Sequence, residues 1–244
     1  MSILGKKWLI KNRTPCKSAY EKIIENRNLD PDKEEEILHD PFLFRDMEKA
    51  VDRISKAITN KQRIVIFGDY DVDGISGTAI LVKVLRKLKA EVSYVLPNRI
   101  TDGYGLTEKF IDKFIEEKIH LLITVDCGIS CAKEIKKAFD NRIDIIITDH
   151  HTIPEKFPEE AVAIIHPKVA ESRYPFKELT GSGVAFKLAH ALISRYFLEN
   201  ERKDYLDKLT DLASLGTVAD LGVLKGENRY IVKKGLEMLS KTHW

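Results

Sequence analysis

The sequence has few cysteines and no long apolar stretch, and each absence excludes a broad class of protein. Three cysteines occur in 244 residues, without a Cys-x-x-Cys pair. This argues against a disulfide scaffold and favours a reducing compartment. No apolar run approaches the roughly 20 residues of a membrane-spanning helix, and the apolar stretch at the amino terminus is too short for a signal peptide. We therefore expect a cytoplasmic protein without a membrane partner.

The chain also lacks a dominant charge and a phosphate-binding P-loop. Forty Lys and Arg against 38 Asp and Glu give a formal charge of +2, which neither indicates nor excludes nucleic-acid binding, because local patches matter more than sums. The first 30 residues contain seven Lys and Arg against three Asp and Glu. This basic excess fits either a solvated surface or a surface that flanks a bound polyanion. The pattern GxxxxGK[ST] is absent, so no nucleotide cofactor is expected.

The sequence does contain short apolar runs that alternate with segments of helical spacing. The runs predict β-strands and are RIVIF (63–67), VSYVL (92–96), LLITV (121–125), DIIIT (144–148) and AVAII (161–165). Strands that alternate with helices predict an α/β fold, with a mainly parallel sheet covered by helices on both faces. We divide the chain into a helical amino-terminal extension (1–60), an α/β core (61–175) and a mainly helical part that completes the domain (176–244).

The first predicted strand leads directly into an acidic loop. Asp69, Asp71 and Asp73 place three carboxylates within five residues, and these repel one another unless a cation neutralises them. A solvated acidic turn is one alternative. An EF-hand is another, but its twelfth position is Ile80 instead of a bidentate Glu, and a strand precedes the loop. Since ligands bind at the carboxyl ends of such strands, we predict a divalent-metal site of another kind.

Two further strand ends place possible ligands at the same edge of the sheet. Asp126 follows strand 121–125, and Asp149-His150-His151 follows strand 144–148. A single such residue is often a helix cap or structural, but three strand ends together are hard to explain in that way. Carboxylates and imidazoles suit Mn²⁺, Mg²⁺ or Zn²⁺, and the lack of thiolates with metal spacing favours the harder ions. So many ligands suggest two ions, an arrangement that supports phosphoryl displacement.

At this point the residues resemble a known superfamily, the DHH phosphoesterases, whose signature is Asp149-His150-His151. Within it the chain is similar to the RecJ-type exonucleases, which degrade single-stranded DNA from the 5′ end. The resemblance runs from about Trp8 to the carboxyl terminus. It rests on six blocks in order: IFGDYDVDGISGTA (66–79), LPNRITDGYGL (96–106), LLITVDCGIS (121–130), ITDHH (147–151), GSGVAFKLAHAL (181–192) and LASLGTVADLGVLKGENRYIVKKGL (212–236).

The resemblance implies roles for individual side chains. The implied metal ligands are Asp71, Asp73, Asp126, His150 and Asp220. Asp126 would be a bridging carboxylate, and Asp69 a supporting or ligating acid. Asp149 would orient the ring of His150, and His151 would contact the scissile phosphate as a proton donor. The implied cofactors are Mn²⁺ or Mg²⁺, as two ions.

Other residues have open interpretations. Asn98, Arg99 and Tyr104 lie in a loop that could hold a phosphate and stack a base, or could be purely structural. Gly181-Ser182-Gly183 opens a helix whose N–H groups could receive a phosphate, or it is only a tight turn. A small buried side chain explains Cys127 more simply than a catalytic thiol does. The role of Glu227-Asn228-Arg229 does not follow from the sequence.

The chain departs from the family in two respects. Phe67 stands where the related pyrophosphatases have a His, so one metal subsite should be poorer than theirs. Family members generally continue into a second, DHH-associated domain and an OB-like domain, neither of which has a counterpart in this sequence.

The resemblance implies a phosphodiesterase that hydrolyses single-stranded DNA to mononucleotides in repair and recombination, with a single-strand-binding protein or a helicase as its protein partner. One alternative substrate class is short oligonucleotides or cyclic dinucleotides. A non-catalytic nucleic-acid-binding relative is a further alternative, but the retained ligands argue against it.

Overall fold

The structure, a computed structural model, describes residue 15, residues 18–27, 37–103 and 105–242, and residue 244. The chain forms two units, residues 1–36 and 37–244. In the first unit, helix α1 (Ala19–Arg27) begins with a capping box. The Glu21 N–H donates to the Ser18 hydroxyl at 3.1 Å, and the Ser18 N–H donates to the Glu21 carboxylate at 3.0 Å. This reciprocal pair satisfies two N–H groups at the helix start.

A five-stranded parallel sheet forms the centre of the second unit. Its strands are β1 (Ile64–Gly68), β2 (Val92–Val95), β3 (Leu121–Val125), β4 (Asp144–Thr148) and β5 (Ala163–Ile165). Their order is β2-β1-β3-β4-β5, and every neighbouring pair is parallel. The predicted α/β fold is thus confirmed. Because the connections leave β1 toward one side and later cross to the other, the carboxyl ends of β1 and β3 flank the point where such sheets bind ligands.

The central strands are apolar throughout because both faces of the sheet are covered. Ile64 and Ile66 point into one core, whereas Val65 and Phe67 point into the other. This is the period of two that a β-strand imposes on its side chains. A strand buried on both faces therefore reads as a continuous apolar run in the sequence.

Helices cover both faces of the sheet. In the described part of the unit they are α2 (Met47–Thr59), α3 (Val72–Lys87), α4 (Glu108–Glu116), α5 (Ala132–Asp140), α6 (Gly181–Tyr196), α7 (Glu199–Ala219) and α8 (Gly226–Leu239). Helices α4 and α5 pack on one face, and the others contribute to the core on the opposite face. None of the helices in the described ranges has the length and apolar character needed to cross a bilayer.

The segment from residue 37 to residue 60 differs from its predicted place in an amino-terminal extension. Met47, Val51 and Ile54 on α2 are completely buried in the main core. They repeat at helical spacing, so one face of α2 is apolar and packs against the sheet. The boundary between the two units accordingly lies at residues 36 and 37 and not near residue 60.

Four helices that lead into strands end in the same way. Each is followed by a basic residue with positive φ: Lys61 (49°), Lys89 (60°), Lys118 (53°) and Arg142 (65°). In each case the next N–H bonds to a carbonyl five residues back, as from Gln62 to Ala57 at 2.8 Å. This is the Schellman motif, in which glycine usually takes the left-handed position. Here a basic side chain instead lies near the negative end of the helix dipole.

A buried ion pair ties α6 to α8. Lys187 Nζ lies 2.7 Å from Glu227 Oε1, and both side chains are inaccessible to solvent. The Tyr174 hydroxyl donates to the second carboxylate oxygen, and the His39 N–H donates to the first at 3.1 Å. The neighbouring Asn228 amide donates to two backbone carbonyls. The structure thus gives Glu227 and Asn228 a structural role that the sequence left open.

Candidate metal centre

Acidic and imidazole side chains meet at the carboxyl edge of the sheet. Their ligand atoms form three groups, each within 4.8 Å: Asp126, His150 and His151; Asp73, His150 and Asp220; Asp69, Asp71 and Asp126. Asp126 and His150 each belong to two groups, so the three groups form one continuous site. All the side chains predicted as metal ligands are therefore brought together here.

Asp126 lies at the centre of this site in a strained backbone conformation. Its φ is +61°, a left-handed value that is uncommon outside glycine but is adopted more readily by Asp. Such conformations cluster at functional sites. Burial, followed by repulsion from Asp73 and Asp71, raises the pKa of Asp126 from 3.8 to about 10. Without a nearby cation, this carboxyl therefore keeps its proton at neutral pH.

Three buried polar atoms of the site have no hydrogen-bond partner among the described residues. They are Asp69 Oδ1, Asp126 Oδ1 and His150 Nε2. His150 Nε2 and Asp126 Oδ1 lie 3.1 Å apart without forming a hydrogen bond, and His150 Nε2 lies 3.9 Å from carboxylate oxygens of Asp73 and Asp220. Leaving buried polar atoms unsatisfied is costly. A divalent cation would satisfy all three, so the residues present fit a metal centre.

The acidic loop is shaped by the start of α3. The Asp71 carboxylate accepts a hydrogen bond from the Gly74 N–H at 3.0 Å and so caps the helix. Asp69 is buried behind it, and burial raises the pKa of Asp69. A Cβ at Gly74 would lie 2.6 Å from the backbone of Asp69. Glycine at position 74 thus allows the loop to fold back on the helix.

Asp73 is oriented by the first turn of α6. The N–H groups of Gly181 and Ser182 donate to its two carboxylate oxygens at 2.6 and 2.9 Å, and the Gly183 N–H donates to the Thr180 hydroxyl at 3.3 Å. A helix amino terminus stabilises a carboxylate in this position. Of the two interpretations left open for Gly181, Ser182 and Gly183, the hydrogen bonds favour the structural one over a substrate-phosphate site, because these buried N–H groups already bind the protein's own oxygens.

Two glycines permit this close approach. A Cβ on Gly181 would clash with the Asp126 carboxylate, and a Cβ on Gly216 would lie 2.5 Å from Asp73 Oδ1. Either substitution would therefore move a carboxylate out of the site. The packing of carboxylates thus explains Gly181 at the start of α6 and Gly216 on α7.

Asp149 orients the histidine pair. Its Oδ1 accepts the N–H groups of His150 and His151 at 2.7 and 3.1 Å and lies 2.8 Å from His151 Nδ1, while Oδ2 accepts the Ile129 N–H at 3.0 Å. Burial opposes ionisation of Asp149, but the hydrogen bonds from His151 and Ile129 outweigh it and lower the pKa of Asp149. The same bond raises the pKa of His151. We expected Asp149 to fix the His150 ring, but the ring that it holds is that of His151.

Sequence analysis did not single out His166, which lies directly after β5. Its side chain is 1% exposed, and its Nε2 lies 2.9 Å from the carbonyl oxygen of His151. Its Nδ1 accepts the Lys168 N–H at 3.1 Å, and the Lys168 ammonium donates to the His150 carbonyl at 3.2 Å. Burial lowers the pKa of His166. The sequence could have indicated His166 by its position. It follows the fifth apolar run, at the edge of the sheet that carries the other site residues.

Asp220 reaches the site from the end of α7. It is followed by Leu221 with φ 57°, and the Gly222 N–H bonds to the Thr217 carbonyl at 2.9 Å. Helix α7 thus ends in the same left-handed turn as α2, α3, α4 and α5, and this end directs Asp220 toward the candidate metal centre. Burial and the charge of Asp73 raise the pKa of Asp220.

The loop after β2 holds the residues predicted to contact nucleic acid. Asn98 Oδ1 accepts the Ile100 N–H at 2.9 Å, and the Asn98 N–H donates to Asp102 at 3.0 Å, which gives Asn98 a turn-forming role. The exposed Arg99 guanidinium lies 5.3 Å from the ring centre of Tyr70, in the acidic loop. Tyr104 lies outside the described residues. Arg99 therefore lies beside Tyr70 of the acidic loop, whereas the Asn98 side chain bonds to the backbone of its own turn.

Cys127 fits the structural interpretation of that residue. Its side chain is almost completely buried, and burial raises the pKa of the thiol well above its usual range. A reactive cysteine needs a lowered pKa and some exposure. Cys127 is therefore a small core residue beside a candidate ligand.

The parallel α/β sheet and the carboxylates and imidazoles at its edge define an α/β protein with a candidate divalent-metal centre. The model of the DHH family, N-terminal domain, matches residues 63–217. The chain therefore belongs to the DHH family.

Named relatives of this chain include two RecJ exonucleases. The chain is 44% identical over 205 residues to the single-stranded-DNA-specific exonuclease RecJ of Bacillus subtilis, and 37% identical over 202 residues to that of Thermus thermophilus. These alignments cover 84% and 82% of this chain but 25% and 29% of the relatives. The chain thus spans less than a third of the length of either relative.

Solved structures agree with this relationship. Exonuclease RecJ bound to manganese is 36% identical with a TM-score of 0.74, over 82% of this chain and 50% of that chain. RecJ of Thermus thermophilus in complex with Mn²⁺ is 34% identical with a TM-score of 0.70, over 82% and 28% of the two chains. A DHH domain of a ribosomal-protein family member, at 16% identity and a TM-score of 0.64, shares the fold alone.

Proposed function

We propose that this chain carries the catalytic centre of a metal-dependent phosphodiesterase that hydrolyses single-stranded DNA from the 5′ end to mononucleotides, in repair and recombination. The observation that carries the proposal is the meeting of carboxylates and imidazoles at one sheet edge, with three buried atoms unpartnered. Relatives named as single-stranded-DNA-specific exonucleases support the substrate class.

The proposed cofactor is Mn²⁺ or Mg²⁺, as two ions. Asp73, His150 and Asp220 would hold one ion, and Asp69 and Asp71 the other, with Asp126 between them. When bound, such ions activate water and stabilise the attacking and leaving oxygens of a phosphodiester. The ligands are mostly oxygens, which suits these hard ions.

Phe67 supports the expectation that one metal subsite is poorer than in pyrophosphatases. Its ring packs in the apolar core, with its centre 4.9 Å from that of Phe110. It offers no ligand atom to the acidic loop that follows β1. The subsite at the acidic loop should accordingly bind its ion more weakly than the corresponding subsite of the pyrophosphatases.

His151 is the proposed proton donor. Its side chain is 42% exposed, so a bound phosphodiester can reach it. Because Nδ1 bonds to Asp149, a proton would pass to the substrate from Nε2. The hydrogen bond to Asp149 raises the pKa of His151 and so favours its protonated form, as a general acid requires. Arg99, beside Tyr70, is placed to contact a phosphate near the acidic loop.

Digestion of end-labelled single strands with Mn²⁺ tests this proposal. The wild-type chain should release a 5′ label as a mononucleotide before a 3′ label and should leave a duplex intact. Asp126→Ala should lose this activity, whereas Asp140→Ala, an exposed carboxylate at the end of α5, should retain it. Equal release by wild type and Asp126→Ala would contradict the metal assignment.

The same assay distinguishes between the alternative substrate classes. Faster hydrolysis of a dinucleotide than of a long strand would favour the short-oligonucleotide class. With a net charge of only +2, this chain should bind DNA weakly, and its binding should weaken further as salt rises. A helicase or a single-strand-binding protein that presents the strand would compensate, and we include such a partner in the proposal.

A further inference from the structure

We propose that His166 and Lys168 are positioning residues, which hold the two backbone carbonyls of the His150-His151 turn and so keep both imidazoles in place at the metal centre. We call this pair the carbonyl clamp. The inference deepens the proposed function, on which it rests, because it concerns how the candidate ligand His150 and the candidate proton donor His151 are oriented.

The hydrogen bonds of His166 fix its protonation state and its direction. Its Nδ1 accepts the Lys168 N–H at 3.1 Å, so this nitrogen carries no proton. The ring proton therefore lies on Nε2, which donates to the His151 carbonyl at 2.9 Å. The neutral ring has both nitrogens satisfied. Since the side chain is almost completely buried, solvent does not replace either bond.

The carbonyl clamp completes the restraint of the turn. Asp149 binds the N–H groups of both histidines on one side. On the other side, His166 binds the carbonyl of His151 and the Lys168 ammonium binds that of His150 at 3.2 Å. The Asp149 N–H also bonds to the Ile165 carbonyl at 3.2 Å, which ties the end of β5 to the same turn. Loss of the clamp would release one side of the turn.

Released ligands bind a metal less tightly, because the freedom of the side chains must then be lost on binding. Groups that orient metal ligands typically contribute tenfold to a hundredfold in metal affinity. A purely structural role for His166 predicts something different, namely lower stability with unchanged metal affinity. Metal affinity and stability must therefore be measured on the same variants.

The experiment uses His166→Leu, His166→Asn and a matched control, His120→Leu. His120 also accepts a backbone N–H at Nδ1, from Arg63 at 3.2 Å, but it lies at the amino-terminal edge of the sheet. Calorimetry measures the Kd of Mn²⁺, and thermal unfolding in EDTA measures stability. We expect His166→Leu to weaken Mn²⁺ binding about tenfold to a hundredfold. His166→Asn, which keeps an acceptor and an amide donor, should recover most of the loss, and His120→Leu should bind as wild type.

The outcomes distinguish this inference from the proposed function. Wild-type affinity in folded His166→Leu, or equal losses in the Leu and Asn variants, would overturn the carbonyl clamp alone. If His166→Leu does not fold, Lys168→Met decides, because Lys168 is exposed and its replacement should weaken Mn²⁺ binding in a folded protein. Unchanged affinity in that variant would also overturn the inference. Failure of the wild type to bind Mn²⁺ would instead overturn the proposed function.

Discussion

Replacement of Asp126 by Asn should stabilise the metal-free protein and at the same time abolish its binding of divalent ions. The pKa of Asp126 is raised to about 10 by burial and by the nearby Asp73 and Asp71 carboxylates. An amide of the same shape carries no charge. Asn also tolerates the left-handed backbone of this position. The substitution therefore removes an electrostatic conflict without introducing strain.

The magnitude follows from the protons bound by the folded and unfolded chains. In the unfolded chain Asp126 ionises near 3.8, whereas the folded protein holds its proton up to about pH 10. Between these values folding takes up a proton, so the free energy of unfolding falls as pH rises, by about 1.36 kcal/mol per unit. At pH 7 this costs the wild type at most about 4 kcal/mol relative to Asp126→Asn, and at pH 5 less than about 2 kcal/mol.

Urea unfolding in EDTA between pH 5 and pH 8, followed by circular dichroism, measures this difference. Asp126→Asn should be the more stable protein, and its advantage should grow with pH. The control Asp140→Asn changes an exposed carboxylate and should differ little from wild type at any pH. A stability difference that stays constant with pH, or a variant less stable than wild type at pH 7, would refute the reasoning. So would retention of Mn²⁺ binding by the variant.

Three further predictions concern the site and its support. Because Asp126 holds a proton at neutral pH, Mn²⁺ binding at pH 7 should release about one proton; calorimetry in buffers of different ionisation enthalpy should detect it, and a buffer-independent enthalpy would contradict it. Lys187→Met leaves Glu227 buried without its cation and should lower the free energy of unfolding by about 3–5 kcal/mol; urea titration checks this, and partial recovery is expected with Glu227→Gln added. Gly216→Ala should weaken Mn²⁺ binding in calorimetry, because its Cβ would displace Asp73; unchanged affinity would count against that packing argument.

The edge of the sheet at which the site lies was predictable because it depends on local rules. Short apolar runs predicted the strands, and parallel strands must end at one edge. Asp69, Asp126 and Asp149 each follow a strand directly, so their convergence needed no knowledge of the helices. The resemblance to a family added Asp220, which lies at a helix end and has no strand to indicate its place.

The features that were missed depend on contacts between residues far apart in the chain. The Gly181 N–H bonds to a carboxylate 108 residues earlier, and Glu227 accepts from a residue 188 positions away. No local pattern encodes such pairs, so the sequence left the start of α6 open between a substrate-phosphate site and a tight turn. His166 was missed for a similar reason, since a single imidazole carries no pattern. Helix α2 was placed in an amino-terminal extension because the sequence does not show that its apolar face packs against the sheet.

The left-handed residues after α2, α3, α4 and α5 have a consequence for how this protein could adapt to temperature. All four lie where a helix returns to the start of a strand, at the sheet edge opposite the candidate metal centre. Each places an amino acid with a Cβ where glycine is the less strained choice. Evolution could therefore raise or lower the melting temperature at these turns while leaving the chemistry at the other edge untouched.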